Sequence, residues 1–350
     1  WPHDAREPLQ LRCSDGDRSL GVLTDLGHAS THVVQSLRGC HALLLEANHD
    51  TGMLSRSSYP AFLRKRIAGP LGHLSNDDAA ALLRPIGWMR LYGKQAEWNA
   101  ALAEAETLKR EHGVNYKALD QAGIAAAEPH LLVKRLGAIH WTDPLSVSDP
   151  QALTLFYARL FAEAGGRMVH GDAMSLQRKG NAWQVQSHEG THDAAEVVVA
   201  LGSASGRLTS RFGYAPPLFG KRGYHRHYRL QGNAVLNHGF LDSDSGFVLV
   251  PMRAGVRLTT GAEFAPDDAP KTPVQLARAE PLARGLLPLA DAVEAEPWMG
   301  VRPCTPDMLP IIGPLPGQQG AWCAFGHAHQ GFTLGPTTGR LLAEMMMGET

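Results

Sequence analysis

A chain of 350 residues with 44% hydrophobic content can form two modest domains, or one large α/β unit with an inserted sheet. Its 33 basic and 34 acidic residues give a formal charge of −1, so no global field draws it to nucleic acid or an anionic membrane, and a small-molecule partner is expected. Cys13, Cys40, Cys304 and Cys323 include no C-x-x-C pair, which speaks against a zinc knuckle or a disulfide framework. No apolar run approaches the roughly 18 residues of a membrane span, and the N-terminus has no signal-like core, so a cytoplasmic protein is expected.

The chain opens on Trp1, and residues 1–21 show no strong periodicity, as though the sequence starts inside something larger. Apolar runs at Gly21 to Asp25 and His41 to Ala47 predict buried strands, with short helices at Ser30 to Leu37 and Ser75 to Leu83. The character changes at Arg84-Pro85. A strand is predicted over Gly87 to Tyr92, a long amphipathic helix over Gln95 to His112 and a strand over Gly137 to Trp141. Ser148-Asp149-Pro150-Gln151 is a capped helix start, and that helix is expected to end at Gly165-Gly166. Strands at Arg167 to Val169, Ala173 to Gln177 and Trp183 to Gln186 follow, the last two joined as a hairpin at Lys179-Gly180-Asn181. The continuous apolar run Glu196 to Leu201, stopped by Gly202, predicts a strand buried on both faces. Alternation over Phe219 to Leu230, Phe247 to Met252 and Gly255 to Gly261 predicts an antiparallel sheet. A helix near Thr272 to Leu286, strands near Val293 to Arg302 and Ala321 to Phe325, and a closing helix over Thr333 to Met347 complete the pattern.

The most informative stretch is Gly326-His327-Ala328-His329-Gln330-Gly331-Phe332, which leads from a strand into the last helix. Glycines let backbone amides approach a flat ligand, and the first turn of the helix, through Thr333, adds unpaired N–H groups and a positive dipole end. Gly331, Gly335 and Gly339 recur every four residues, a smooth helix face that suits a cofactor or another backbone. Preceding it are Trp298-Met299-Gly300-Val301-Arg302-Pro303 and Thr305-Pro306-Asp307-Met308-Leu309-Pro310-Ile311-Ile312-Gly313.

These segments, with Tyr116 to His130, Ile139 to Asp149, Val197 to Ser203 and Pro251 to Phe264, resemble the FAD-dependent flavoprotein family of glycine oxidase and D-amino-acid dehydrogenase, over about residues 84–348. The resemblance implies an α/β and α+β fold, with Rossmann-like FAD-binding parts near 149–215 and 300–350 and an antiparallel-sheet substrate domain from parts near 84–148 and 216–299. It implies oxidation of the Cα–N bond of a D-amino acid or a glycine-like amino acid by hydride transfer to flavin N5. Arg302 is then the guanidinium that clamps the substrate carboxylate. Met174 lies by its backbone near the adenine, Gly202 forms the turn where a strand end passes the cofactor, and Gly326, His327, Gln330, Gly331, Phe332 and Thr333 face the flavin. Tyr224, His225 and His227 lie on the strand that faces the substrate. Tyr224 and His327 are candidates for the catalytic set, although hydride transfer depends chiefly on orientation, so His327 and His329 are expected to shape the loop.

No G-x-G-x-x-G occurs anywhere, so the usual pyrophosphate-binding unit of such flavoproteins is expected to be lost or replaced. In residues 1–83, Thr24-Asp25-Leu26-Gly27-His28, Leu45-Glu46-Ala47-Asn48-His49-Asp50, Tyr59-Pro60 and Gly72-His73-Leu74-Ser75-Asn76 resemble the later part of a metallo-β-lactamase-fold hydrolase. That resemblance maps metal ligands onto Asp25 and His73, a set suited to zinc or manganese. The H-x-H-x-D-H cluster that supplies most ligands is absent, and two ligands rarely hold a catalytic ion. The competing readings are therefore a flavin amine oxidoreductase, a metal-dependent phosphodiesterase or nuclease, and an inactive fusion of two partial proteins.

Overall fold

Period-two alternation and glycine turns build four sheets among the described residues. The computed structural model describes residues 84–348 and the backbone of three earlier strands, β1 (Gln10–Ser14), β2 (Ser19–Leu23) and β3 (Ala42–Leu45). β1 and β2 pair antiparallel, β2 and β3 parallel. Asp25, His73 and the remaining hydrolase-like motifs lie outside the described residues. The chain divides into two compact units, residues 1–86 with 144–156, and residues 87–143 with 157–350.

The second unit is built on a nine-stranded sheet. Its early strands are β4 (Trp88–Tyr92), β5 (Tyr116–Leu119) and β6 (Gly137–Trp141), accompanied by helices α1 (Gln95–His112) and α2 (Gln121–Ala127). Helix α1 stops where Gly113 turns left-handed at φ 68°, and its N–H returns to the Lys109 carbonyl. Helix α3 (Pro150–Glu163) opens as the sequence predicts, with Asp149 Oδ1 accepting the Ala152 N–H at 2.9 Å. A three-stranded meander follows, β7 (Gly171–Lys179), β8 (Ala182–Ser187) and β9 (Gly190–Ala194), turning at Gly180. Arg167 to Val169 is not a strand.

Strand β10 (Val197–Val199) ends at Gly202, in the short helix Gly202–Ala204, followed by α4 (Ser205–Thr209). It was expected to be buried on both faces, but Val198 and Leu201 are 39% and 37% exposed. Among the described strands this three-residue strand has a single partner, the later β18.

The remaining large-sheet strands are β11 (Phe219–Leu230), β12 (Gly239–Asp242), β13 (Phe247–Met252), β14 (Gly255–Phe264), β15 (Leu289–Ala292) and β16 (Trp298–Cys304). Helix α5 (Val274–Leu286) places Leu276, Ala279, Ala283 and Leu286 in one apolar cluster with Tyr224, Tyr228, Phe240, Leu249 and Leu258. Finally, β17 (Ile311–Pro314) and β18 (Ala321–Phe325) join β10 in a separate sheet, and α6 (Gly331–Met346) closes the described chain.

Strand β11 has two unlike faces, and this corrects one expectation. Tyr224 was predicted to face a substrate, yet it is 3% exposed and sits on the core side. There its hydroxyl accepts from Arg222 Nη2 at 2.7 Å and from the Thr272 N–H at 2.9 Å, and donates to Glu263 Oε2 at 2.8 Å. Arg222, fully buried, also donates to the carbonyls of Pro266, Ala269 and Pro270. A buried guanidinium is tolerated only when its protons are matched in this way. The network ties residues 266–272 to the middle of β11. Tyr224→Phe removes its central oxygen, so the variant should melt roughly 3–8 °C lower while carboxylate binding on the opposite face is unchanged; an unaltered Tm would show that the network carries no stability.

Candidate active site

Strands β11 and β16 pair antiparallel from Phe219 opposite Cys304 to His225 opposite Trp298. Directly opposed residues share a face, so Lys221, Gly223 and His225 project with Arg302, Gly300 and Trp298 on the side away from Tyr224. In the middle the pairing sets Gly223 against Gly300, leaving a patch of bare backbone. Two large side chains lie across it. A Cβ on Gly223 would fall 1.9 Å from Arg302 Nη1, and one on Gly300 would fall 2.2 Å from the Trp298 indole. The His225 ring stacks on that indole with centroids 4.7 Å apart and planes at 27°.

Behind His225 lies an ordered polar chain. His227 Nδ1 bonds Glu294, whose other oxygen accepts the His227 N–H at 2.8 Å, and Arg257 Nε donates to His227 Nε2 at 3.0 Å. Burial, reinforced by the positive charge of Arg257, pulls the His225 pKa down to about 4. His225 is therefore a neutral imidazole at pH 7, set among cations. Arg302 makes no ion pair among the described residues, and its guanidinium, half-buried, is available to an anion.

The loop before α6 meets this strand directly. Cys304 and His327 form an isolated antiparallel bridge, so Arg302 stands two residues from the glycine-rich loop. Strand β16 also contacts the turns Gly202–Ala204 and Ala328–Gln330. Gly326 is left-handed at φ 81°, and Ala328 takes φ 51° without being glycine, a conformation that costs about 1 kcal/mol or more. Gln330, at the cap position of α6, makes no side-chain cap bond, and among the described residues no other side chain is seen to cap the helix. The rest of that face is bare as well. Among the described residues nothing lies within 4 Å of a Cβ placed on Gly335 or Gly339, and Phe332 is 50% exposed.

His327 is turned into the helix. Its Nε2 meets Thr338 Oγ1 at 2.8 Å, and burial lowers its pKa. This makes it a brace between loop and helix. Gly202, at φ 59°, forms the expected turn, with the Leu201 N–H held by Ser205 Oγ at 3.0 Å. Met174 has neither backbone group idle: its N–H donates to Asp172 Oδ1 at 2.8 Å and its carbonyl accepts from Arg211. The carbonyl, with two lone pairs, can still accept a second hydrogen bond from an adenine amino group. Thr333 lies exposed in the first turn of α6, beside Phe332.

Sequence reasoning missed Gly223, Gly300, Lys221, Trp298, Arg257 and Glu294. The available signal was the alternation of Lys221-Arg222-Gly223-Tyr224-His225-Arg226-His227, in which every second residue belongs to one face. Among the described residues no group of three or more His, Cys, Asp or Glu could hold a metal ion, and no helix is long and apolar enough to cross a membrane.

Comparison with known proteins places these features in context. The family described as FAD dependent oxidoreductase matches residues 38–345, a span that includes residues 38–83 of the segment with hydrolase-like motifs. The D-amino acid dehydrogenase of Cereibacter sphaeroides is 31% identical over 285 residues, covering 76% of this chain and 62% of that protein. The D-amino acid dehydrogenase of Granulibacter bethesdensis is 29% identical over 279 residues, covering 76% and 65%. The chain thus spans less than two thirds of the length of these relatives. Among solved structures, glycine oxidase from Geobacillus kaustophilus aligns with a TM-score of 0.67 at 23% identity, over 85% of this chain and 82% of that one, a likeness of fold.

Two measurements test the site geometry. Gly223→Ala puts a methyl where the guanidinium lies; because the displaced group is the tip of a flexible side chain, stability should change little while affinity for a carboxylate falls about tenfold. Unchanged affinity would mean that the position of Arg302 on this glycine is immaterial. His225 has a folded pKa below its unfolded value of 6.5, so its contribution is complete above that value and is lost as pH falls toward about 4. His225→Gln should therefore lose less Tm than wild type between about pH 7 and about pH 5; parallel curves would remove the neutral imidazole from the account.

Proposed function

We propose that this chain, which belongs to the FAD dependent oxidoreductase family, carries the carboxylate-binding and flavin-facing parts of an amino-acid dehydrogenase or oxidase acting on the Cα–N bond of a D-amino acid or a glycine-like amino acid. The observation that carries the reading is the unpaired Arg302 guanidinium on the Gly223–Gly300 patch, two residues from the bridge to the loop that opens α6. The fit to a flavin rests on that loop: an uncapped helix N-terminus, left-handed backbone at Gly326 and Ala328, and an open Gly335–Gly339 face. Gly326, Gln330, Gly331, Phe332 and Thr333 would hold the ring end, with Gly202 at the neighbouring turn; His327 holds the loop to the helix. No G-x-G-x-x-G occurs among these 350 residues, and the residues named here account for the ring end alone. When bound, FAD supplies the acceptor at N5 for the hydride leaving the α-carbon.

The residues of this chain do the positioning. Arg302 pairs with the α-carboxylate through its planar fork and so fixes the direction of the α-C–H bond. Trp298, lying over Gly300, covers one side of the patch. His225, neutral beside it, adds no positive charge to repel an incoming ammonium and can accept a hydrogen bond from the amine. Loss of the amine proton and the α-hydride leaves an imine, which water hydrolyses.

The reading of residues 1–83 as a hydrolase-like segment, with Asp25 and His73 as ligands to zinc or manganese, rests on sequence motifs alone; metal content of the purified protein tests it. For the oxidoreductase, the purified chain should carry visible flavin absorbance, and Arg302→Ala should weaken a carboxylate inhibitor by about 1.5–3 kcal/mol, the worth of a hydrogen bond to a charged group. A colourless protein that gains no flavin on addition of FAD would sink the cofactor assignment, and full inhibitor affinity in the variant would sink the clamp.

A further inference from the structure

We infer that the substrate carries a second carboxylate, held by Lys221 while Arg302 holds the first; this rests on the role given to Arg302 above. Lys221 is the residue directly opposite Arg302 in the β11–β16 register, so the two Cα atoms are about 5 Å apart and both side chains leave the same face. Like charges in opposed positions repel unless something neutralises them. No acid among the described residues does so. Lys221 Nζ meets only Met308 Sδ at 3.8 Å and the ring of Phe264 at 5.4 Å, and Arg302 forms no ion pair.

The nearby acids are all engaged or turned elsewhere. Glu263 is opposite Arg222 and belongs to the Tyr224 network on the other face. Asp267 lies against Gly220, also on that other face by alternation. Glu294 is taken by His227, and Asp307 folds back to accept the Leu309 N–H at 3.1 Å. Among the described residues, the Arg302-bearing face therefore carries positive charge with no acid paired to it.

The two cationic heads also point apart. Arg302 reaches along the sheet to Gly223, while Lys221 leans the other way, across to Phe264 on β14. One carboxylate on Arg302 leaves Lys221 unmatched; a molecule with two carboxylates separated by a short carbon chain satisfies both. Phe264, 70% exposed, offers an apolar wall for that carbon chain. The substrate class that follows is an acidic amino acid, oxidised at the carbon beside the carboxylate on Arg302.

The test is calorimetric titration of succinate, glutarate and propionate into wild type, Lys221→Met, Lys221→Arg and Arg302→Met proteins. Wild type should bind the better of the two diacids about tenfold or more tighter than propionate, the scale of one added charged hydrogen bond. Lys221→Met should reduce that diacid to the level of propionate without changing propionate itself, and Lys221→Arg should keep the preference. Arg302→Met should weaken all three. If diacid and monoacid bind wild type equally, or the preference survives in Lys221→Met, the second-carboxylate site is overturned while the Arg302 clamp stands. If Arg302→Met changes nothing, the clamp fails and this inference fails with it.

Discussion

The pairing of Phe219–His225 with Trp298–Cys304 is the constraint on which the rest of the site depends. Its register sets two glycines face to face, and only that coincidence leaves room for a guanidinium and an indole to lie flat on backbone. Because side chains alternate with a period of two, a slip of one residue in β16 would turn Arg302 into the core and bring Val301 out. Register is held from several directions: β11 also pairs with β14 and β15, and the last residue of β16, Cys304, bridges to His327. The same few backbone bonds therefore orient the candidate clamp and attach it to the loop of the final helix.

Strand β11 serves two purposes by dividing them between its faces. On the core side, Arg222 and Tyr224 are buried with matched hydrogen bonds and hold residues 266–272 in place. On the other side, Lys221, His225 and His227 keep polar atoms toward the open patch, with His227 fixed by Glu294 and Arg257. Burying the first set is costly in desolvation and is tolerated because all but Arg222 Nε is hydrogen-bonded, that atom lying 3.0 Å from Glu263 Oε2; leaving Lys221 and His225 partly unmatched costs less because they are only half-buried. Rigidity on one face makes precise placement possible on the other.

Much of this was legible in the sequence where the determinants are local. Helix α1 ends where Gly113 permits a left-handed turn, and β11, β13 and β18 span the residues their patterns predict. Asp149 caps its helix as its position before proline suggested. What could not be read depended on partners far along the chain. The valines of β10 signal burial, but Val198 is exposed, and a strand's partners are not a local property. In the run Lys221 to His227 both alternating sets contain charged and aromatic residues, so hydropathy could not say which faces inward. That choice is made by residues 266–272, some forty positions later, through carbonyls that any sequence would supply. Arginine is rarely buried completely, and Arg222 is the exception that misassigned Tyr224.

The entrance to α6 shows a different kind of restraint. A helix that needed only stability would carry Ser, Thr or Asp at its cap and avoid positive φ just before it. Here the cap position is Gln330, which makes no capping bond, and Ala328 accepts a left-handed backbone that glycine would adopt without penalty. Something must hold this unfavourable entry in shape. The His327–Thr338 bond, the Cys304–His327 bridge and the packing of buried Ala328 do so from three sides. Their combined effect is to hold a helix entry whose cap position makes no side-chain hydrogen bond, at a modest cost in stability. Such a cost is sensible at a place where an electron-rich ligand completes the hydrogen bonds, and it would be hard to rationalise at a helix whose only task was to cover a sheet.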